Sequence, residues 1–228
     1  MTAFASSAHG PSGGAVPDRA PLGAVPGAFL YPDFLDRAAQ AALLADIRAI
    51  LADAPLYTPH VPGTGRAMSV RMSNCGPLGW YTDKAQGYRY VDRHPETGRP
   101  WPAIPERVLA IWRKLAGYPA DPEACLINWY DADAKMGAHR DQDEDAADDP
   151  IVSISLGDTA VFRIGGLKRG GPTASVQLRS GSVVVLSGPA RHAYHGVDRI
   201  LAGSSRLLEE NGLGGGRINL TLRRVTRP

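Results

Sequence analysis

The chain has 228 residues, of which 43% are hydrophobic and 21% are charged. This length suits one well-cored domain, and the balance excludes collagen, coiled coils and wholesale disorder. A net charge of +2 does not by itself single out a nucleic-acid-binding protein. The sequence contains no signal-peptide pattern and no run of about eighteen apolar residues, which a membrane span would need. We therefore expect a cytoplasmic protein without membrane contact.

The N-terminal part of the sequence predicts a tail and then two helices. Residues 1–27 are rich in Ala, Gly, Ser and Pro, so they predict a flexible tail that cannot offset the entropy of ordering. Apolar residues at helical spacing follow Asp36, a suitable N-cap, and predict an amphipathic helix that ends before Pro55. A second helix is expected from Pro105, as its first residue, to a stop at Gly117.

The C-terminal half is β-rich. Short segments with strand composition are separated by clusters of Gly, Pro and Asp, and no helix-length pattern interrupts them. This argues against a doubly wound α/β fold and predicts a mainly β, antiparallel jelly-roll architecture with flanking helices. The predicted strands are 124–130, 151–156, 160–164, 174–178, 182–186 and 217–224.

Two smaller features concern thiols and acidic groups. Cys75 and Cys125 are too few for a disulfide framework, so we expect buried free thiols. Residues 141–149 hold six acidic residues, and the far half of this run, 146–150, is expected to be a solvated loop.

A candidate metal site begins at His139 and Asp141. Residues two apart on a strand point to the same side, so this imidazole and this carboxylate can converge on one ion. A further histidine, His195, follows a strongly apolar strand, whereas His192 is expected to face the opposite side. Two histidines and one carboxylate are typical of non-haem Fe(II) oxygenases, although catalytic zinc can use the same ligands.

The last strand, RINLTLRR, alternates polar and apolar residues. Arg217, Asn219, Thr221 and Arg223 share one face. Burying two guanidiniums there is costly without anions, and a dicarboxylate ligand would supply them. The alternative is an edge strand whose arginines lie in solvent.

The segment CLINWY carries a second polar pair. Asn128 and Tyr130 are two residues apart, so they could hydrogen-bond the same ligand or simply satisfy each other.

With these residues in the motifs His139-x-Asp141, His195 and Arg217-x5-Arg223, and with the segments NCGPLGW, INWY, IVSISLG and FRIGGLKR, the chain resembles the AlkB family of Fe(II)- and 2-oxoglutarate-dependent nucleic-acid demethylases. The resemblance covers nearly everything from about residue 28 to 224.

The resemblance implies a fold and a domain organisation. A single dioxygenase domain would span 28–228. Within it, a double-stranded β-helix (jelly-roll) core would occupy about 120–225, and an N-terminal nucleotide-recognition lid would occupy about 60–105.

The resemblance also implies the cofactor ligands. Its catalytic group would comprise Arg223 and the Fe(II) ligands His139, Asp141 and His195, with O2 as the oxidant. The distal C5 carboxylate of 2-oxoglutarate would pair with Arg217, assisted by Tyr130 and Asn219. Its C1 carboxylate would lie near Asn128 and Arg223.

For the substrate, the resemblance implies an aromatic lid and a basic rim. Trp80 would stack on the target base opposite the ring of His139, Tyr88 would lie on the nucleic-acid strand, and Asp143 would face the base. Lys135 and Arg169 would contact phosphates. The alternatives are that Trp80 is a core aromatic residue and that Lys135 is a solvated strand residue.

The implied activity is direct repair of alkylated DNA by a monomer. The enzyme would hydroxylate the N-methyl group of 1-methyladenine or 3-methylcytosine, preferably in single strands, and the product would lose formaldehyde. These lesions are cationic, so a carboxylate such as Asp143 favours them, and they pair poorly, which lowers the cost of flipping them out.

Other functions fit the same sequence. RNA is the second choice of substrate. The same iron chemistry on tRNA, protein or a small metabolite is an alternative, as is a non-catalytic module that binds methylated bases.

The sequence departs from the pattern of the best-known bacterial form at four points. Arg140 stands between the first two metal ligands in place of a glutamine, Gln142 replaces a basic residue, and Trp129 replaces an arginine. One extra residue lies between Trp80 and Tyr88. These departures bear on contacts with the nucleic-acid strand rather than on the iron ligands.

Overall fold

A computed structural model describes residues 18–227 and shows a mainly β fold with helices at its flanks. The helices are α1 (Arg37–Asp53), α2 (Glu106–Leu115), the 3-10 helix Gly188–His192 and α3 (Leu207–Glu210). The strands are β1 (Ala20–Pro21), β2 (Ala28–Tyr31), β3 (Val70–Cys75), β4 (Gly79–Asp83), β5 (Gly87–Val91), β6 (Ala124–Tyr130), β7 (Met136–His139), β8 (Ile151–Gly157), β9 (Thr159–Ile164), β10 (Ala174–Leu178), β11 (Val183–Leu186), β12 (His195–Leu201) and β13 (Arg217–Arg223).

Two antiparallel sheets form the core. The larger has the strand order β1-β2-β11-β8-β13-β6-β3, and the smaller has the order β10-β9-β12-β7. A separate hairpin, β4–β5, lies beside them. Side chains from both sheets line one cavity, so the cavity lies inside the jelly roll. The predicted double-stranded β-helix is confirmed.

The helix α1 forms where the apolar spacing predicts it. The carboxylate of Asp36 accepts a hydrogen bond from the amide of Ala39 (2.8 Å), as an N-cap should. Leu43, Leu44 and Ile47 are buried on its inner face. Burial of these side chains, rather than intrinsic propensity, supplies most of such a helix's stability.

The helix α2 also agrees with the sequence, with one difference. Pro105 is the N-cap and not the first helical residue. At the core, Trp112 is fully buried and its indole donates to the carbonyl of Ala120 (2.9 Å).

The predicted tail is wrong at its C-terminal end. Residues 1–17 lie outside the described part of the chain. Ala20–Pro21 pair with β2, and the side chain of Leu22 is buried while its amide donates to the carbonyl of Ala28 (2.9 Å). One apolar side chain and an available sheet edge order this segment despite its composition.

Several strands lack a clear sequence signal. For example, β12 begins at His195 and contains Gly196, Asp198 and Arg199, which are poor strand formers. Pairing with β9 and β7 holds it in place, with bulges on both sides. Gly196 is required there because a Cβ atom would lie 2.6 Å from the carbonyl oxygen of Met136.

Cys75 and Cys125 are buried free thiols that face each other across β3 and β6, as expected. Among residues 18–227, no helix has the length and apolar character needed to cross a membrane.

Candidate active site

The candidate site lies in a cavity of about 1180 Å³ between the two sheets. One wall is the polar face of β13, whose residues all line the cavity as the alternation predicts. Because β13 lies between β6 and β8 inside the larger sheet, the solvated edge-strand alternative is excluded. The residues of this wall are Arg217, Asn219, Thr221 and Arg223.

Three predicted metal ligands meet at one point in this cavity. His139 on β7 and His195 on β12 are directly opposite each other in the antiparallel pairing. The Nε2 atom of His139 lies 3.6 Å from Oδ1 of Asp141, and Nε2 of His195 lies 3.5 Å from Oδ2. One donor atom from each residue falls within 4.8 Å of the others, which suits a single ion.

Backbone carbonyls fix the tautomer of both imidazoles. Nδ1 of His139 lies 3.0 Å from the carbonyl oxygen of Gly137, and Nδ1 of His195 lies 3.0 Å from that of Ala193. A carbonyl only accepts, so each Nδ1 carries a proton, and in the neutral ring Nε2 keeps its lone pair for a metal. Burial also lowers the pKa of His195 to about 4, so this ring is neutral near pH 7.

The carboxylate of Asp141 is buried and ionised. Burial alone would raise its pKa, but the charge of Arg223 outweighs this effect and holds the pKa below its ordinary value. Two imidazole nitrogens and one carboxylate leave coordination positions open, as Fe(II) oxygenase chemistry requires.

His192 is excluded from this site. It ends the 3-10 helix Gly188–His192, and its Nε2 lies 3.0 Å from a carboxylate oxygen of Asp148. The choice of His195 agrees with the structure. The two histidines do not lie on one continuous strand that would place their rings on opposite faces, because His192 belongs to the 3-10 helix and His195 to β12.

Arg217 is a buried cation without a carboxylate partner among residues 18–227. The residue is 1% exposed, and its guanidinium donates to neutral oxygens, namely the carbonyls of Asp158 and Leu178 and the hydroxyl of Ser155. Its Nε has no hydrogen-bond partner in the described chain. Burial lowers its pKa to about 10. A ligand carboxylate would supply the missing anion, so this residue fits 2-oxoglutarate.

Arg223 differs from the expectation that the ligand alone would balance both arginines. Its Nη2 donates to Oδ1 of Asp141 (2.8 Å), and its Nη1 donates to Oε1 of Glu144 (2.7 Å). The protein therefore compensates this charge internally. Its Nε still lacks a partner in the described chain, and the side chain lines the cavity.

The polar pair on β6 also faces the cavity. The amide nitrogen of Asn128 lies 3.3 Å from the hydroxyl of Thr221 and 3.4 Å from the amide oxygen of Asn219. These are weak contacts that a ligand could replace. Among residues 18–227, the hydroxyl of Tyr130 makes one hydrogen bond, a weak contact with the sulfur of Met136 at 3.8 Å. Burial raises its pKa to about 12.

The hairpin β4–β5 brings an aromatic wall to the same cavity. Trp80 is 9% exposed and stacks on Tyr88, which is 48% exposed, at a centroid distance of 5.5 Å. The indole nitrogen of Trp80 donates to a carboxylate oxygen of Asp143 (3.0 Å). Trp80 packs against the core and also lines the cavity, so the two interpretations of this residue are not exclusive.

The mouth of the cavity is basic. Lys135 and Arg169 are exposed and line it. Arg140, on the cavity wall beside them, is oriented by two hydrogen bonds to the side-chain oxygen of Gln142, at 3.1 and 2.7 Å. Arg140 and Arg169 both lie over the ring of Tyr194, at 5.8 and 5.3 Å. The exchange of side-chain types at positions 140 and 142 therefore keeps a positive charge at this rim.

The other two departures from the family pattern do not disturb the site. Trp129 does not line the cavity, and its ring is covered by the guanidinium of Arg71 at 5.6 Å. The segment between Trp80 and Tyr88, which holds the extra residue, keeps a regular hairpin in which Asp83 accepts from two backbone amides of the turn.

Sequence reasoning missed Glu144 and Arg191. Glu144 lies in the acidic run but is fully buried, and it pairs with Arg191 (2.9 Å) and Arg223. Beyond it, Ala146 and Pro150 are also buried, so residues 146–150 are not the fully solvated loop that was expected. An acid inside an acidic run gives no local signal of burial, because its partners come from distant strands.

Taken together, a jelly-roll cavity with a two-histidine, one-carboxylate centre and a buried, uncompensated arginine defines a 2-oxoglutarate-dependent Fe(II) oxygenase site. The family model of the 2OG-Fe(II) oxygenase superfamily matches residues 27–223.

Comparison with individual proteins narrows the family within this superfamily. The chain is 53% identical over 205 residues to an alpha-ketoglutarate-dependent dioxygenase AlkB homolog of Caulobacter vibrioides, covering 90% of each chain. It is 39% identical over 124 residues to the DNA N(6)-methyladenine demethylase ALKBH1D of Arabidopsis thaliana, covering 52% of this chain and 26% of that one. The solved structure of OsALKBH1 superposes with a TM-score of 0.77 at 30% identity, over 87% of this chain and 97% of that chain.

The chain belongs to the 2OG-Fe(II) oxygenase superfamily and, within it, to the AlkB dioxygenases. It is an enzyme that depends on Fe(II) and 2-oxoglutarate and uses O2 as its oxidant.

We expect Arg217→Lys to raise the 2-oxoglutarate concentration needed for half-maximal succinate formation by about tenfold or more, about 1.4 kcal/mol. Lysine keeps the charge but loses the fork that grips a carboxylate. Arg113→Lys, on the exposed surface of α2, is the control and should change nothing. An unchanged 2-oxoglutarate requirement in the Arg217 variant would remove this residue from the cosubstrate site.

Proposed function

We propose that the protein oxidatively demethylates N-alkylated bases, with 1-methyladenine and 3-methylcytosine in DNA as its first substrates. The observation that carries this proposal is the aromatic wall of Trp80 in the same cavity as the three metal ligands. A flipped base needs an aromatic or apolar face to replace its lost stacking, and this wall supplies one. A metabolite hydroxylase has no need of such a wall beside a basic rim.

Each residue of the inner cavity receives a proposed role. His139, Asp141 and His195 hold the iron. Arg217 grips the C5 carboxylate of 2-oxoglutarate, with Tyr130 and Asn219 beside it, and Asn128 and Arg223 lie near the C1 carboxylate. When bound, iron and 2-oxoglutarate supply the activation of O2 that oxidises the methyl group.

The outer residues select and hold the substrate. Trp80 stacks on the base opposite His139, while the carboxylate of Asp143, two residues from the ligand Asp141, favours a cationic base. One oxygen of Asp143 already accepts from Trp80, which fixes the orientation of both side chains. The methyl group is hydroxylated and leaves as formaldehyde, while 2-oxoglutarate becomes succinate and carbon dioxide.

The rim supports a nucleic-acid strand. Tyr88, Lys135 and Arg169 are exposed at the mouth and are assigned to the sugar–phosphate backbone. We propose a monomer that prefers single-stranded DNA, in which no pairing has to be broken, and that acts on RNA as a second substrate. The cytoplasmic location and the single domain over 28–228 stay predictions.

A second candidate substrate is N6-methyladenine in DNA, favoured by the name of the Arabidopsis relative. That base is neutral. A carboxylate at the cavity would give it no electrostatic advantage, so the charge of Asp143 distinguishes the two substrates.

We expect Trp80→Ala to reduce formaldehyde release from 3-methylcytosine DNA by about tenfold or more, since a stacked aromatic is worth about 1 to 3 kcal/mol per base. Slow conversion of 2-oxoglutarate to succinate without a substrate should persist, because the metal ligands are untouched. Formaldehyde, succinate and melting temperature are measured on the same preparation.

The control is Trp129→Ala, a buried tryptophan outside the cavity. It should lower the melting temperature but keep the wild-type ratio of formaldehyde to succinate. If Trp80→Ala behaves in the same way, Trp80 is a core residue and not the base-stacking wall. A binding module would form no succinate in any variant, and a metabolite oxygenase would not bind the oligonucleotide.

We expect Asp143→Asn to lower kcat/KM for 3-methylcytosine DNA by about tenfold, about 1.4 kcal/mol, and to leave N6-methyladenine DNA unaffected. The amide keeps the shape of the side chain but removes its negative charge. Asp145→Asn, an exposed neighbour that does not line the cavity, is the matched control. Equal losses on both substrates would show that charge does not select the base.

A further inference from the structure

The side chain of Glu144 lies in the interior between two arginines. Its Oε2 accepts from Nη2 of Arg191 (2.9 Å), its Oε1 accepts from Nη1 of Arg223 (2.7 Å), and its side chain is 0% exposed. Burial alone would raise its pKa, but Arg223, the hydrogen bond from Tyr90 and Arg191 lower it, so it is an anion. A buried anion held by two cations and a hydroxyl is fixed in position.

Both arginines also hold Asp141, each at a different point. Arg223 donates from Nη2 to the carboxylate oxygen Oδ1 (2.8 Å), and Arg191 donates from Nη1 to the backbone carbonyl (2.9 Å). Glu144 therefore fixes the two groups that orient the main chain and the side chain of one metal ligand. Oδ2 of Asp141 is left facing His195.

A third contact joins Glu144 and its two arginines to the hairpin β4–β5. Tyr90 on β5 donates to Oε1 of Glu144 (2.5 Å) and accepts from Nη1 of Arg223 (3.1 Å). The same hairpin carries Trp80 on β4, directly opposite Tyr90 in the strand pairing. One carboxylate thus connects the metal ligand with the strand pair that forms the aromatic wall.

We infer that Glu144 is a positioning residue for the metal ligand Asp141, acting through Arg191 and Arg223, and that Tyr90 extends this support to the hairpin β4–β5. Among residues 18–227, Asp141 and Glu144 are the carboxylates that pair with Arg223. Without Glu144, Asp141 alone would have to balance a buried guanidinium. Asp141 would then interact more strongly with Arg223, and its carboxylate would be a weaker ligand for the metal ion.

The first test is a titration of metal-free protein with Co(II) alone, so it does not depend on the demethylase proposal. Glu144→Gln should weaken Co(II) binding by about tenfold or more, as loss of a residue that orients a ligand does. Asp145→Asn, in the same loop, should bind as the wild type does. A lower melting temperature with unchanged Co(II) affinity would make Glu144 a folding residue only and would overturn the inference.

A second variant keeps every charge and covers the case in which Glu144→Gln does not fold. Tyr90→Phe removes only the hydroxyl, and Tyr81→Phe on the neighbouring strand β4 is its control. We expect weaker Co(II) binding in the first and unchanged binding in the second. Unchanged binding by folded Tyr90→Phe would show that this corner of the cluster does not support Asp141.

Hydrogen exchange tests the connection to the lid directly. Co(II) binding should slow exchange of the backbone amides of β4 and β5 in the wild type and in Tyr81→Phe. The reason is that metal binding stabilises Asp141 and, through Glu144 and Tyr90, the hairpin β4–β5. In Tyr90→Phe this slowing should be lost. Exchange in β4–β5 that is insensitive to Co(II) in the wild type would refute the connection.

Discussion

The burial of one ionised carboxylate, Asp141, is the constraint on which the site depends. Taking a carboxylate out of water costs several kcal/mol unless other groups compensate it. Arg223 balances one oxygen of Asp141, and two imidazoles lie near its carboxylate group. The protein therefore compensates only part of the charge of Asp141, and a divalent cation would compensate the rest. A carboxylate whose two oxygens were both paired with arginine would bind a metal ion less well.

The two arginines of β13 show how charge compensation assigns function. They share one face of one strand and are both buried, yet their partners differ. Arg223 lies between Asp141 and Glu144, whereas Arg217, among residues 18–227, donates only to neutral oxygens. A buried cation without an anion destabilises the protein, and a ligand carboxylate that pairs with it removes this penalty and so binds more tightly. The cavity is therefore prepared for a dicarboxylate cosubstrate at the Arg217 end.

The sequence predicts what depends on local pattern. Alternation along β13 places its polar face correctly, and the capping residue Asp36 marks the start of α1. The spacing of His139 and Asp141 indicates their convergence, but only the pairing of β7 with β12 brings His195 opposite His139.

What the sequence could not predict depends on distant partners. In the sequence, Glu144 cannot be distinguished from the exposed acidic residues around it. In the structure it is surrounded by Tyr90 of β5, Arg223 of β13 and Arg191 of the 3-10 helix. The strand β12 has poor strand composition and is held by its neighbours, and Leu22 is ordered by a sheet edge that the sequence does not announce. In each case tertiary contacts override local propensity.

In the proposed reaction, one cavity couples oxidation of 2-oxoglutarate to removal of a methyl group from a base. The most direct measurement is the ratio of formaldehyde to succinate formed by the wild-type enzyme with single-stranded DNA that carries 3-methylcytosine. We expect formaldehyde to approach one equivalent per succinate at saturating DNA and to be absent with unmethylated DNA. Succinate formation that is unaffected by the methylated DNA and yields no formaldehyde would contradict it.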